Sequence, residues 1–115
     1  MSDFTVVFHV DKIDGSLAVA MNNAINYANA LPGQAYHMVL VVNSAAVKEL
    51  VAEKAALLEK LQPALALGLE VRACQNALAA TGTAAEQLFA GCQVVPAGIV
   101  ELVRLQKKGY AYIKP

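Results

Sequence analysis

The stretch Tyr36-His37-Met38-Val39-Leu40-Val41-Val42 decides the fold class. Its second half is apolar at every position, without the alternation that a strand with one wet face displays. Such a strand needs cover on both sides, as an interior strand of a parallel sheet flanked by helices has. Asn43-Ser44 closes it with residue types suited to a turn or a cap.

Working outward, Phe4-Thr5-Val6-Val7-Phe8-His9-Val10 is rich in β-branched and aromatic residues and reads as the opening strand. The polar turn Asp11 to Ser16 offers Asp14 or Ser16 as a helix cap. From Leu17, the apolar residues Met21, Ala24, Ile25, Ala28 and Leu31 recur at helical spacing with Asn22, Asn26 and Asn29 opposite, until Pro32-Gly33 ends the run. Beyond Ser44, a helical pattern with Val47, Leu50, Val51, Leu57, Leu58 and Leu61 on its apolar side is expected to break before Pro63 and end at Gly68.

The alternating run Leu69-Glu70-Val71-Arg72-Ala73 reads as a third strand, and Cys74 to Ala80 as a short helix ending at Thr81-Gly82. Thr83-Ala84-Ala85-Glu86 matches a capping box for a helix stopped by Gly91. Cys92 to Pro96 is a fourth strand. Ile99, Leu102, Val103 and Gln106 share one face of the next helix, Gly109 stops it, and Tyr110-Ala111-Tyr112-Ile113 is a last strand. Strand and helix alternate throughout, the pattern of a parallel sheet with helices on both faces.

Length and composition agree with that architecture. The 115 residues fit a single domain spanning 1–115. Apolar residues make up 57% and charged residues 16%, which excludes a disordered chain and favours association between copies. Nine basic residues balance nine acidic ones, and the one basic cluster, Arg104 with Lys107-Lys108, reads as a solvated helix end. Nucleic-acid binding is therefore not expected. No apolar run approaches the roughly 18 residues that span a membrane, and no signal-peptide pattern opens the chain. A cytoplasmic, soluble protein is expected. His9, His37, Cys74 and Cys92 show no metal-ligand spacing, so neither a metal nor another cofactor is expected.

The chemistry centres on Cys74. A thiol at a strand's carboxyl edge, leading into a helix, faces free amide donors that favour the thiolate, and open α/β sheets bind their ligands along that edge. Such a thiolate attacks a sulfane sulfur or exchanges with a disulfide. The alternative is a buried, inert cysteine. Asn76 is a candidate amide donor to bound sulfur, or a helix cap. Arg72 falls on the same side of the strand as Cys74 and offers positive charge. Asn43 and Ser44 leave the second strand along the same edge, and His9 lies near the exit of the first, as a base, a donor or a structural histidine. Pro96-Ala97-Gly98 brings a residue without a side chain to that edge, for close backbone approach or a tight helix entry. Cys92, at the opposite end of the sheet, is assigned to the core.

Four pieces of the chain resemble the DsrE/DsrF-like family of small sulfur-metabolism proteins. They are Val6 to Asp11, the helix from Leu17 through Asn29, Leu69 to Leu78, and Val95 to Pro115, in this order and spacing. The resemblance implies a three-layer α/β/α domain with a five-stranded, mainly parallel sheet, in proteins that form homo- or hetero-oligomers. It also implies that Cys74 accepts a persulfide sulfur from a donor protein and passes it to an acceptor. Two rivals stand beside a sulfur carrier or sulfurtransferase-like protein: a module binding a small ligand at the strand exits, and a structural or regulatory homo-oligomer.

Overall fold

The computed structural model describes residues 3–115. Five strands, β1 (Phe4–Val10), β2 (Tyr36–Val42), β3 (Glu70–Cys74), β4 (Gln93–Val95) and β5 (Ala111–Ile113), form one sheet in the order β4-β3-β2-β1-β5. Every pairing between them is parallel. The apolar run of β2 lies where its composition requires, between β1 and β3, and Met38 through Val42 are wholly buried.

The helices α1 (Ser16–Asn29), α2 (Ala55–Ala66) and α3 (Gln75–Thr81) cover one face together with a 3₁₀ segment, Ser44–Leu50. There Val6, Phe8, Leu40, Val42, Val71 and Ala73 pack with Leu17, Met21, Leu61 and Leu78. Among the described residues, α4 (Gly98–Lys107) is the helix on the other face, where Leu102 and Leu105 meet Val7, Val39 and Val41. The three layers are thus unequal in thickness. At the start of α1 the cap position falls to Gly15 rather than to Asp14 or Ser16, and Asp14 Oδ1, one residue earlier, accepts the backbone N–H of Ser16 at 3.0 Å, the local turn an aspartate makes.

One helical stretch breaks before Pro63 as expected, another is cut short, and one contact accounts for both. Val51 and Leu88 form an antiparallel bridge, flanked by hydrogen bonds from Ala52 N–H to Gln87 O (2.8 Å) and from Phe89 N–H to Leu50 O (3.0 Å). Residues 51 and 88 are therefore extended. The helical pattern around Val47 to Leu61 becomes the 3₁₀ segment, a break after Leu50, and α2. The break thus falls well before Pro63, which lies inside α2 on the exposed side, where water can take the carbonyl it leaves without a partner. The helix expected after Thr83 shrinks to one 3₁₀ turn, Ala85–Gln87. Its capping box does not form, because the Thr83 hydroxyl bonds that of Thr81 and it is Gln87 Oε1 that accepts the Ala84 N–H.

The packed side of α4 also differs from the expected one. Gly98, Glu101, Leu102 and Leu105 face the sheet, whereas Ile99 and Val103 are exposed. Glu101 explains the rotation. Its side chain is only 3% exposed, and its Oε2 accepts from Arg72 Nη1 at 2.6 Å while Arg104 Nη2 lies 2.6 Å from Oε1. Arg72 Nη2 donates to Glu70 Oε1 at 2.9 Å, and Glu70 Oε2 takes a further hydrogen bond from His37, whose other ring nitrogen meets the Tyr110 hydroxyl. A buried carboxylate is tolerated only when paired, and stripping such a pair of one partner typically costs about 3–5 kcal/mol. The ion pair therefore decides which side of α4 turns inward.

The His37 hydrogen bond, helped by Arg72 and opposed by partial burial, holds the Glu70 carboxyl down at about 2 from an ordinary 4.5. A carboxyl depressed in the folded state stabilises above its unfolded value, and that stability is lost as pH falls from about 4.5 through about 2. Glu70→Gln should lower the melting temperature at neutral pH and flatten the acid limb of a stability profile in that window. Thermal melts across the range check this.

Candidate functional site

The carboxyl ends of the strands lie along one edge, and strand register decides which side chains meet there. His9 pairs with Val41 across β1 and β2, and Cys74 with Val95 across β3 and β4. The Asn43 N–H donates to Val10 O at 3.1 Å, carrying the ladder one residue beyond β2. Alternation then sets His9 and Asn43 on the face covered by α4, beside Val7, Val39 and Val41, and brings the Cys74 Cβ to the start of α4 while Cys74 also packs with the apolar core of the other face.

Contacts follow from that placement. His9 Nε2 lies 2.9 Å from Asn43 Oδ1, and His9 Nδ1 lies 2.6 Å from the Tyr112 hydroxyl. An amide oxygen only accepts, so Nε2 carries the proton and, in the neutral ring, Nδ1 accepts from Tyr112. Tyr112 comes from β5, where it pairs with Val7, and its ring centroid is 5.7 Å from that of His9.

Gly98, the first residue of α4, closes the group. A methyl added there would stand 3.1 Å from Asn43 Cβ, 3.3 Å from Cys74 Cβ and 3.4 Å from Val41 Cγ1. The absence of a side chain thus lets α4 sit directly against Asn43 and Cys74, the close approach expected of this glycine. The first α-helical bond of α4 runs from Glu101 N–H to Ala97 O, so the N–H groups of the preceding turn fall outside the intrahelical series, at the Cys74 end of the helix. Cys74 itself, the residue just before α3, is 6% exposed. Little of it is open to a reagent from solvent.

Four of the six candidates therefore converge: Cys74, Asn43, His9 and Gly98. Arg72 shares their face but is committed to Glu70 and Glu101, so its charge serves the α4 anchor. Asn76 is exposed on α3 and joins none of these hydrogen bonds. Cys92 is half-buried before β4, and burial pushes its thiol up to about 11, as befits an unreactive cysteine. Two surface grooves, one bounded by Lys48, Lys54, Thr83 and Gln87 and the other by Glu49, Glu53 and Leu57, lie apart from this group. Among the described residues no three His, Cys, Asp or Glu side chains are placed to share a metal ion, and no helix is long and apolar enough to cross a membrane.

Sequence reasoning passed over Tyr112. The alternation Tyr110-Ala111-Tyr112 puts both tyrosines on one face, but their meeting with the two histidines requires knowing that β5 lies beside β1. Because space rather than backbone conformation demands Gly98, Gly98→Ala should destabilise by about 1–3 kcal/mol. It should also change the alkylation rate of Cys74, which differential scanning fluorimetry and timed iodoacetamide labelling would measure together.

Comparison with known proteins places the fold. The model of the DsrE/DsrF-like family matches residues 3–115. A solved protein of unknown function from Methanobacterium thermoautotrophicum, MTH1491, is 30% identical, with 97% of this chain and 99% of that one covered and a TM-score of 0.83. A conserved protein of unknown function from Bacteroides thetaiotaomicron, BT1422, shares the fold at 17% identity and a TM-score of 0.73, over 96% of this chain and 94% of that one. No curated protein matches. With the family model covering the domain from β1 through β5, the chain belongs to the DsrE/DsrF-like family.

Proposed function

We propose that this protein is a sulfur carrier in which Cys74 accepts and passes on a sulfane sulfur. Its family supports a role related to sulfur relay. The observation that carries the reading is the convergence of Cys74 with Asn43, His9 and the start of α4 at the carboxyl edge. Cys74 thus stands beside Asn43 and the first turn of α4, whose N–H groups are donors at hand for a sulfur-bearing group.

The transfer needs no external redox partner. The Cys74 thiolate attacks the outer sulfur of a donor persulfide, R–S–SH; the donor's S–S bond breaks, R–S⁻ leaves with the electron pair, and Cys74–S–SH forms. An acceptor thiolate repeats the displacement on the Cys74 persulfide and regenerates the thiolate. Donor and acceptor proteins are thus partners in this reading, and the 6% exposure of Cys74 requires local opening at each encounter.

Intact-mass analysis after incubation with a persulfide donor tests the proposal. A gain of one sulfur mass, removed by reductant, is expected for the wild type and for Cys92→Ser, and is lost in Cys74→Ser. No adduct in any of the three rejects the carrier in favour of a ligand-binding role, for which Cys74→Ser would retain binding.

Association of identical copies belongs to the same reading. Ile99, Val100 and Val103 are 64%, 58% and 45% exposed on the outer side of α4, and zero net charge places no repulsion between copies. Light scattering is expected to give a mass above the 12.1 kDa chain and to return to it in Val100→Glu. A monomeric wild type at high concentration would remove association from the proposal.

A further inference from the structure

Four side chains stand in a row across the sheet, one from each of four adjacent strands or their exits. Tyr112 is on β5, His9 on β1, Asn43 just past β2 and Cys74 at the end of β3, and the sheet order places these strands side by side in that sequence. The first three are hydrogen-bonded in series, at 2.6 and 2.9 Å. The last two both pack closely against Gly98, where an added methyl would stand 3.1 Å from Asn43 Cβ and 3.3 Å from Cys74 Cβ.

The direction of the bonds matters. Tyr112 donates to His9 Nδ1, and His9 Nε2–H donates to Asn43 Oδ1. The two ends of an amide group diverge, so an Oδ1 turned toward β1 leaves Nδ2 turned the other way. Since β2 lies between β1 and β3, that other way is the Cys74 side. The donors of the row then run from β5 toward β3, the strand that ends at Cys74, and bonds aligned in this sense polarise one another.

We propose that Tyr112 is a positioning residue, which, through His9, locks the Asn43 amide with its N–H groups toward Cys74 and so stabilises the sulfur anion there. The inference rests on the reading of Cys74 as the sulfur-bearing residue. No proton changes hands along the row, because the tyrosine and the histidine act by fixing a rotamer and a tautomer. Tyr112 is 39% exposed on an edge strand, so loss of its hydroxyl should leave the fold intact.

The test uses Tyr112→Phe and Asn43→Asp in a Cys92→Ser background. Long-range nitrogen–proton NMR of the His9 ring is expected to show a fixed Nε2–H tautomer, giving way to a mixture in Tyr112→Phe. The iodoacetamide reaction of Cys74 is expected to slow about threefold to tenfold at neutral pH in Tyr112→Phe, the consequence of one lost hydrogen bond, with its pH midpoint moved upward. Asn43→Asp keeps the acceptor for His9 but replaces the donor with a negative charge, and should slow the reaction further.

An Nδ1–H tautomer in the parent protein, or a folded Tyr112→Phe with the parent rate and midpoint, would overturn the proposal. Sulfur loading separates the two ideas. Loading on Cys74 that ignores Tyr112 keeps the carrier and rejects the row; tautomer and alkylation effects without any loading keep the row and reject the carrier.

Discussion

A carboxylate buried between a helix and a sheet governs the functional face of this protein. Glu101 is drawn inward by Arg72, and with it the whole of α4 is set in rotation and height over β1, β2 and β3. Leu102 and Leu105 reach the small apolar cluster of that face as a result, and Gly98 lands on Asn43 and Cys74. The apolar contacts of α4 are few compared with those on the opposite face. A directional ion pair supplies the orientation that nonspecific burial would leave loose.

The opposite face works by the reverse logic. There α1, α2, α3 and the 3₁₀ segment bury a continuous apolar core against the sheet, and shape complementarity holds them. The sheet is therefore a plate with a thick structural side and a thin polar side. His9, His37, Glu70, Arg72, Tyr110 and Tyr112 all belong to the thin side, where one helix of ten residues leaves both flanks of the sheet uncovered. Polar side chains in such a place need partners, and they find one another across strands: each histidine meets a tyrosine of the C-terminal segment. The C-terminal strand thus joins the site through side chains, and Lys114, 2.7 Å from Asp11, holds its end beside the exit of β1.

Much of the fold was legible because its signals are local. The apolar run Met38 to Val42 demanded double cover, the spacing from Leu17 to Ala28 demanded an amphipathic helix, and five strands alternating with helices demanded a parallel sheet. Where the reading and the structure part, a contact distant in sequence is the reason. Residues 50–52 and 87–89 pair through backbone hydrogen bonds across a long separation in sequence, and that pairing overrides helical patterns that are locally sound. On α4 the hydrophobic pattern pointed at Ile99 and Val103, and a single charged residue outweighed it, since an ion pair chooses its partner by position and not by hydropathy.

The sequence by itself determined the class of the sheet, the family, and the short set of residues at the strand exits, because strand alternation and the carboxyl-edge rule place Cys74, Asn43 and His9 without knowledge of long-range contacts. Only the tertiary structure decided which of them act together. Strand order put β2 between β1 and β3 and laid β5 beside β1, which gathered Tyr112, His9, Asn43 and Cys74 into one row. It assigned Arg72 to the α4 anchor and left Asn76 in solvent. A residue's face is written in a local period, but its neighbours across a sheet depend on which distant strands pair, and that is set by the packing of the entire chain.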